Sequence, residues 1–443
     1  MLLLSNLLPL LPFLGQASAA TADEWRSRSV YQIMVDRFAP PNGDSGTPCN
    51  PDDRKYCGGT WSTLVSKLDY IQGMGYDAVW ISPTGLNIEG FTYYGEAYHG
   101  YWITDPTKAN PHFGSDDDLK ALSAALHDRG MYLMVDIAVY ALASNTGDIS
   151  NAALAADNGG ALLFKDQADY HPKCNIKWGD HDSEMKCWLA TSGVALMDLD
   201  QSNSDVGDTL INWAKDYVQE FGIDGFRIDA SKHMTQDFQH RMCTTAGVFC
   251  VGEVAGDNTA YASRFQGSSA IDSVFGFGLM YGFVQSFTGG HKMTSLENKI
   301  KLAAQSYSDP TVIGQFLDNQ DLPRFNSLTS DKSLVYNAIV GCFMYGGIPM
   351  IYQGLEQELS DGHDDPYNRE ALWLYNDFST STPSYVNIAN VNKIRHALNG
   401  DDKFLNSVAT VQSVRDQDIA LVRGSALIVL TNVSHPSADL ECG

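Results

Sequence analysis

Four carboxylates stand at or just past the ends of short apolar runs. They are Asp136 in MYLMVDIAV (131–139), Asp229 in GFRID (225–229), Glu253 in FCVGEV (249–254) and Asp321 in FLDNQD (316–321). If FRID is a strand, its two-residue alternation sets Phe226 and Ile228 on one face and Arg227 with Asp229 on the other. A guanidinium beside a carboxylate favours the ionised form, which suits Asp229 to nucleophilic attack. Glu253 follows FCVG, where desolvation raises a carboxyl pKa and keeps the proton available for a leaving group. Two carboxyls pushed in opposite directions are what glycoside hydrolysis with retention of configuration requires. Taken singly, each acid reads equally well as a strand-end residue that solvates a loop or pairs with an arginine.

Acids at such positions need a scaffold that holds strand ends together, and the chain supplies one. Further apolar runs recur at VYQIMV (30–35), AVWIS (78–82), VIGQFL (312–317) and IPMIYQ (348–353), with SVFGF (273–277) as the weakest member of a set of eight. Continuous apolar strands separated by helical patterns indicate a parallel sheet covered on both faces. Residues 115–129 show the intervening pattern: Ser115 and Asp118 in capping-box spacing, Leu119, Leu122 and Leu126 on one face, and Gly130 as the stop. No G-x-G-x-x-G follows any of the runs, so an α/β fold of the (β/α)8 TIM-barrel type is expected over an open doubly wound sheet. The barrel is expected to use residues 21–140 and 200–384. Residues 141–199, rich in Ala, Asp, Asn, Gly and Lys, read as a loop-rich domain inserted after the third strand. From 385 to 443 the pattern alternates, as in DIALVRG (418–424) and ALIVLTNV (426–433), which predicts an antiparallel β appendage.

Composition narrows the partners. The chain has 443 residues and a net charge of −24, from 29 Lys and Arg against 53 Asp and Glu, which disfavours nucleic acid and anionic membrane surfaces. Residues 1–20 are apolar and close on Ala17, Ser18 and Ala19, a secretion signal by its small-residue cleavage pattern, with a membrane anchor as the alternative that Pro9 and Pro12 oppose. No later stretch is long and apolar enough to span a bilayer. Export to an oxidising compartment makes disulfides expected, and Cys49 with Cys57 and Cys174 with Cys187 are close in sequence; Cys243, Cys250, Cys342 and Cys442 receive no assignment. One sequon, Asn432-Val433-Ser434, permits glycosylation.

Together GFRIDASKH (225–233), VGEV (251–254), FLDNQD (316–321) and the strand bearing Asp136 resemble the α-amylase family, glycoside hydrolase family 13. EAYHGYW (96–102), RKYCGGTW (54–61) and DPYNRE (365–370) extend the likeness from about Trp25 to the end, closest to the secreted fungal members. The resemblance implies Asp229 as nucleophile, Glu253 as general acid and then base, and Asp321 as the third acid that holds sugar hydroxyls. It implies that Arg227 orients Asp229, that Tyr101 stacks on the sugar at the cleavage point, and that His99 and Trp102 line the cleft. Lys232 and His233 are implied on the leaving-group side, and Asp365 with Arg369 on the non-reducing side. The implied partner is an α-1,4-glucan or maltooligosaccharide bound by a secreted monomer.

Two departures accompany the likeness. Where the family's third strand runs on as D-x-x-x-N-H, this chain has Tyr140 and Ala141, so a calcium site built from Asp198 with carbonyls of His233 and Met185 lacks its Asn oxygen. Calcium wants 6 to 8 oxygens, and a weak or absent site is expected unless water or Tyr140 substitutes. Gln320 stands where the family has His before the last acid. Losing hydrogen bonds that tighten in the transition state costs about 1–3 kcal/mol each, part of which the Gln320 amide can recover. The same changes resemble a fungal subgroup of 4-α-glucanotransferases, so three readings stand: endo-hydrolase, glucanotransferase, or a weakly active glucan-binding protein.

Overall fold

Eight parallel strands form one sheet in the computed structural model, which describes residues 20–434. They are β1 (Val30–Ile33), β2 (Ala78–Ile81), β3 (Tyr132–Ile137), β4 (Gly225–Ile228), β5 (Phe249–Gly252), β6 (Ser273–Val274), β7 (Gly314–Gln315) and β8 (Ile348–Tyr352). The hydrogen-bonded order is β6-β5-β4-β3-β2-β1-β8-β7, and a parallel bridge between Phe275 and Gly314 joins the two outer strands into a barrel. The secretion-signal reading falls on residues 1–19, outside the described residues, as does Cys442.

The apolar runs are buried on both faces, and alternation divides them between two cores. Val30, Ala78, Trp80, Met134, Phe249, Val251 and Met350 pack together inside the barrel. Their neighbours Tyr31, Val79, Leu133, Val135, Phe226, Cys250 and Ile351 pack outward against the helices. Read up each strand, the inward parity passes from these apolar residues to Gln32, Asp136, Arg227 and, past the strand end, Glu253. Strand register aligns Gln32 with Trp80, and Asp136 with Arg227. The site is therefore the top layer of the barrel interior, made polar.

The helix after the second strand forms as its pattern requires, over Asp116–His127, with Ser115 and Asp118 closing a capping box and Leu119, Leu122 and Leu126 buried. It stops because Gly130 takes φ +70°, letting the Gly130 N–H reach the His127 carbonyl at 2.9 Å and the Met131 N–H that of Leu126 at 3.0 Å. Beyond β3 the chain leaves the barrel along Ala141–Ser144 and returns along Ala195–Asp198, the two segments paired antiparallel. The Cys174–Cys187 disulfide closes the excursion internally.

Two observations revise or complete the expectations. Alternating strands begin at Thr410, not at 385: Pro383–Leu398 is a helix, capped by Thr382 with Pro383 at its first position. Its buried Tyr385, Ile388, Val391 and Arg395 recur at helical spacing, a period the strand reading overlooked. The antiparallel appendage consists of Thr410–Val414, Asp418–Arg423 and Ala426–Thr431. Cys243 pairs with Cys250, linking a helix end to β5, in addition to Cys49–Cys57, while Cys342 is buried and free. The side-chain amide of the sequon residue Asn432 donates to the carbonyls of Ser286 (2.9 Å) and His291 (2.8 Å). Among the described residues no helix is long and apolar enough to cross a membrane.

Candidate active site

One buried guanidinium organises the top of the barrel. Arg227 Nη1 donates to Asp136 Oδ1 (2.9 Å) and Oδ2 (3.0 Å) and to Asp229 Oδ1 (2.6 Å), and its Nη2 lies 2.9 Å from Glu253 Oε2. The backbone ladder sets the acids in place: the Asp229 N–H donates to the Ile137 carbonyl (3.0 Å) and the Glu253 N–H to that of Ile228 (2.9 Å). Glu253 Oε2 also accepts from the Ala230 N–H at 3.1 Å. Ala230 has φ +49°, a left-handed turn that directs this N–H back toward the acid.

Asp136 is the most fully occupied of the four carboxylates. Besides Arg227 it accepts from the Tyr101 hydroxyl (2.7 Å) and the Trp80 indole N–H (3.2 Å). Burial pushes its pKa up to about 6, against the pull of Arg227 and Tyr101. Buried and engaged by three residues, it is closed to a substrate, so its place is structural, beneath the reacting groups. Asp321 sits at the mouth, its side chain 49% exposed, and is held by Arg369 at 3.1 Å. Loss of water at the crowded mouth still raises its pKa, and Arg369 opposes the shift.

The electrostatics differ from the expected picture of one arginine serving one aspartate. Asp229 lies well above the ordinary carboxylate range: burial raises it, Arg227 opposes, and the Glu253 and Asp136 charges add to the rise. A single cation shared by three buried acids cannot hold all of them ionised as firmly as a private partner would. A surplus of negative charge of this kind is chemically able to stabilise positive charge developing on a group bound beside it.

The remaining residues anticipated from the sequence take three kinds of place. His99, Tyr101 and Trp102 form a continuous aromatic wall, His99 being 4.5 Å from Trp102 and 5.9 Å from Tyr101 by ring centroids. His99 Nδ1 accepts the Tyr101 N–H at 3.0 Å, and burial beside Arg369 and Arg37 lowers its pKa well below the usual value, so the ring is neutral. Lys232 lies over the Trp178 ring at 4.7 Å, and that ring stands edge-on to His233 at 6.0 Å. Arg369 pairs with both Asp321 and Asp365 (3.0 Å) and donates to the Gln320 carbonyl at 3.0 Å. Asp365 also accepts from the Tyr98 hydroxyl at 3.1 Å. Gln320 is buried, its amide turned into the protein and not toward the cleft: its Nε2 donates to the Tyr101 hydroxyl at 2.9 Å and its Oε1 accepts from Gln32.

Side chains among the residues carried over as calcium ligands are engaged in hydrogen bonds. The Asp198 carboxylate faces the His171 ring, with Nδ1 at 2.6 Å, and Nε2 of that ring lies 3.6 Å from Asp200. His233 Nδ1 donates to the Glu184 carbonyl, next to Met185, at 2.6 Å. Tyr140 is buried, and its carbonyl accepts from the Leu199 N–H and from Gln201. The Asp198 carboxylate and the Glu184 carbonyl are thus each bonded to an imidazole. Among the described residues no group of three His, Cys, Asp or Glu is arranged to hold a metal.

Several residues of the site were not singled out from the sequence. Trp178 is 63% exposed beside Lys232, and Tyr94 stands 6.4 Å from Trp102 while its ring lies over Gly193, where a Cβ would come within 2.4 Å of it. Neither has a periodic signal, because both lie on irregular loops. Gln32 did carry one: a polar residue at an inward position of an otherwise apolar strand.

A model described as the α-amylase catalytic domain matches residues 32–424 of the chain. The chain belongs to the α-amylase family. An α-amylase of Saccharomycopsis fibuligera is 42% identical over 424 residues, which is 95% of this chain and 84% of that protein. The α-amylase mde5 of Schizosaccharomyces pombe is 39% identical across 97% of this chain and 81% of its own length. The solved α-amylase of Malbranchea cinnamomea superposes with a TM-score of 0.89 at 41% identity, covering 94% of this chain and 87% of that one. A solved cyclomaltodextrin glucanotransferase, CldA, gives 0.79 at 28% identity, with 91% and 87% covered. As a member of the α-amylase family, the protein is an α-amylase-type glycoside hydrolase.

Proposed function

We propose that the protein cleaves internal α-1,4-glucosidic bonds of starch-like glucans with retention of configuration. The observation that carries this reading is the pair Asp229 and Glu253 on neighbouring strand ends, each bonded to Arg227, at 2.6 and 2.9 Å. Two carboxylates sharing one guanidinium favour the short separation of a retaining pair, about 5–5.5 Å, over the gap of about 6.5–9.5 Å that admits a water between them. Asp229 attacks the anomeric carbon while Glu253 protonates the departing oxygen; Glu253 then takes a proton from the water that hydrolyses the glycosyl enzyme. Asp321, exposed at the mouth and braced by Arg369, binds sugar hydroxyls, and Tyr101 with Trp102 offers ring faces to the sugar. Lys232, His233 and Trp178 receive the leaving-group sugars. Glu253→Gln is expected to abolish turnover of maltoheptaose and spare its binding; near-normal turnover overturns the assignment.

Transfer to a second glucan is the reading that the buried Gln320 and Ala141 favour, because two groups that would meet the sugar in a hydrolase are absent from the cleft. Product masses from maltoheptaose decide: sugars shorter than the substrate mean hydrolysis, longer ones transfer. The three disulfides support a secreted protein. Calcium stays outside the mechanism: Asp198 faces His171, and the Glu184 carbonyl accepts from His233.

A further inference from the structure

Gln32 is not in the cleft, yet it stands at the start of a buried chain of hydrogen bonds that ends on the catalytic acids. Its Nε2 donates to Gln320 Oε1; Gln320 Nε2 donates to the Tyr101 hydroxyl at 2.9 Å; Tyr101 donates to Asp136 at 2.7 Å; and Asp136 is gripped by Arg227, which holds Asp229 and Glu253. We propose that Gln32 is a positioning residue for the reaction: it sets which end of the Gln320 amide faces Tyr101, and thereby where the Tyr101 hydroxyl and ring point. The inference rests on the glucan-cleaving reading above.

The two ends of a glutamine amide have nearly the same shape and opposite hydrogen-bonding character, so their orientation is decided by partners. With Gln32 donating, the Gln320 oxygen is taken and its NH2 group must face Tyr101. The Tyr101 oxygen then accepts, and its own hydrogen is left for Asp136. Without Gln32 the amide is free to reverse, the Gln320 oxygen competes for the Tyr101 hydrogen, and Asp136 loses a donor. Gln32 has its own reason to present the NH2 end. Its Oε1 has no hydrogen-bond partner, nor has the buried Arg227 Nε–H, and Gln32 and Arg227 line one small cavity with Trp80 and Glu253. An oxygen is stable facing a guanidinium and an NH2 group is not. The main chain of Gln320 cannot swing away, because its carbonyl accepts from Asn368 (2.9 Å) and Arg369 (3.0 Å).

The test is a double-mutant cycle on the full chain with Gln32→Met and Gln320→Met, near-isosteric changes that remove the amides. Wild-type turnover of maltoheptaose, to either product class, is measured first; its absence counts against the glucan-cleaving reading and not against the clamp. Gln32→Met is expected to lower kcat about fivefold with KM within a factor of two, the loss of one buried hydrogen bond. In the Gln320→Met background it is expected to do nothing further. An unchanged kcat in Gln32→Met, or the same fivefold loss in both backgrounds, overturns the proposal. A crystal structure of Gln32→Met reads the clamp without activity: a Tyr101 hydroxyl out of hydrogen-bond reach of Asp136 supports it, and one retained at 2.7 Å refutes it.

Discussion

Two buried acids flank the point where the excursion leaves the barrel, and they are held in different ways. Asp136, on β3, sits under Arg227, Tyr101 and Trp80, three residues from three parts of the chain, with a pKa pushed up to about 6. Asp198, at the end of the returning segment, is raised to about 7 by burial and faces His171 of the excursion itself. The first arrangement is a hub, bonded to the strand and loop that carry the reacting groups. The second is a local tie whose loss concerns the excursion. Equal burial therefore does not mean equal function; what decides is whether the counter-ion is shared with the reacting groups.

The largest expected effect tests the hub. Arg227→Met leaves three carboxylates without their cation, and kcat/KM for maltoheptaose should fall by about a thousandfold, from a loss of about 4 kcal/mol. A loss below tenfold would show that the acids do not depend on a common counter-ion. Next, His171→Ala should lower the unfolding temperature by about 5 °C while kcat at 25 °C stays within about threefold, as expected of a tie that touches no reacting group. A large loss of kcat in the folded variant would merge the two regions into one.

The pH profile sharpens the comparison from the side of the hub. Asp229 must be ionised to attack, and its pKa is raised, so activity is present above that pKa and lost as pH falls through it. The acid limb of kcat/KM should therefore lie above the range near 4 that an unperturbed aspartate would give. Asp136→Asn removes a repelling charge and frees part of Arg227, and should move that limb to lower pH. The smallest effect concerns the tie: excess chelator should leave the unfolding temperature within about 1 °C, because Asp198 and the Glu184 carbonyl already have donors. A fall of more than about 5 °C would mean that a metal displaces His171.

Much of this was legible before the structure. The barrel strands announced themselves as apolar runs because residues buried on both faces must be apolar whatever their neighbours. The helix over Asp116–His127 did so because its cap is a local bond between Ser115 and Asp118. The C-terminal helix Pro383–Leu398 escaped because its buried positions include Arg395, whose polar character masks the period until its carbonyl partners Phe343 and Gly347 are seen. The Cys243–Cys250 pair escaped although its spacing is shorter than that of the two pairs expected from closeness in sequence.

What the sequence determined by itself is the set of groups and their order: which strands end in acids, which loops carry aromatic rings, where the family pattern is broken. These follow from alternation and motif, both of which act over a few residues. What only the tertiary structure decided is who shares whom. Arg227 serves three acids and not one, Gln320 turns into the barrel to meet Gln32, Arg369 braces Asp321, and His171 answers Asp198. The partners in three of these four groupings lie tens to hundreds of residues apart, and their energies depend on distance and burial that no local pattern contains.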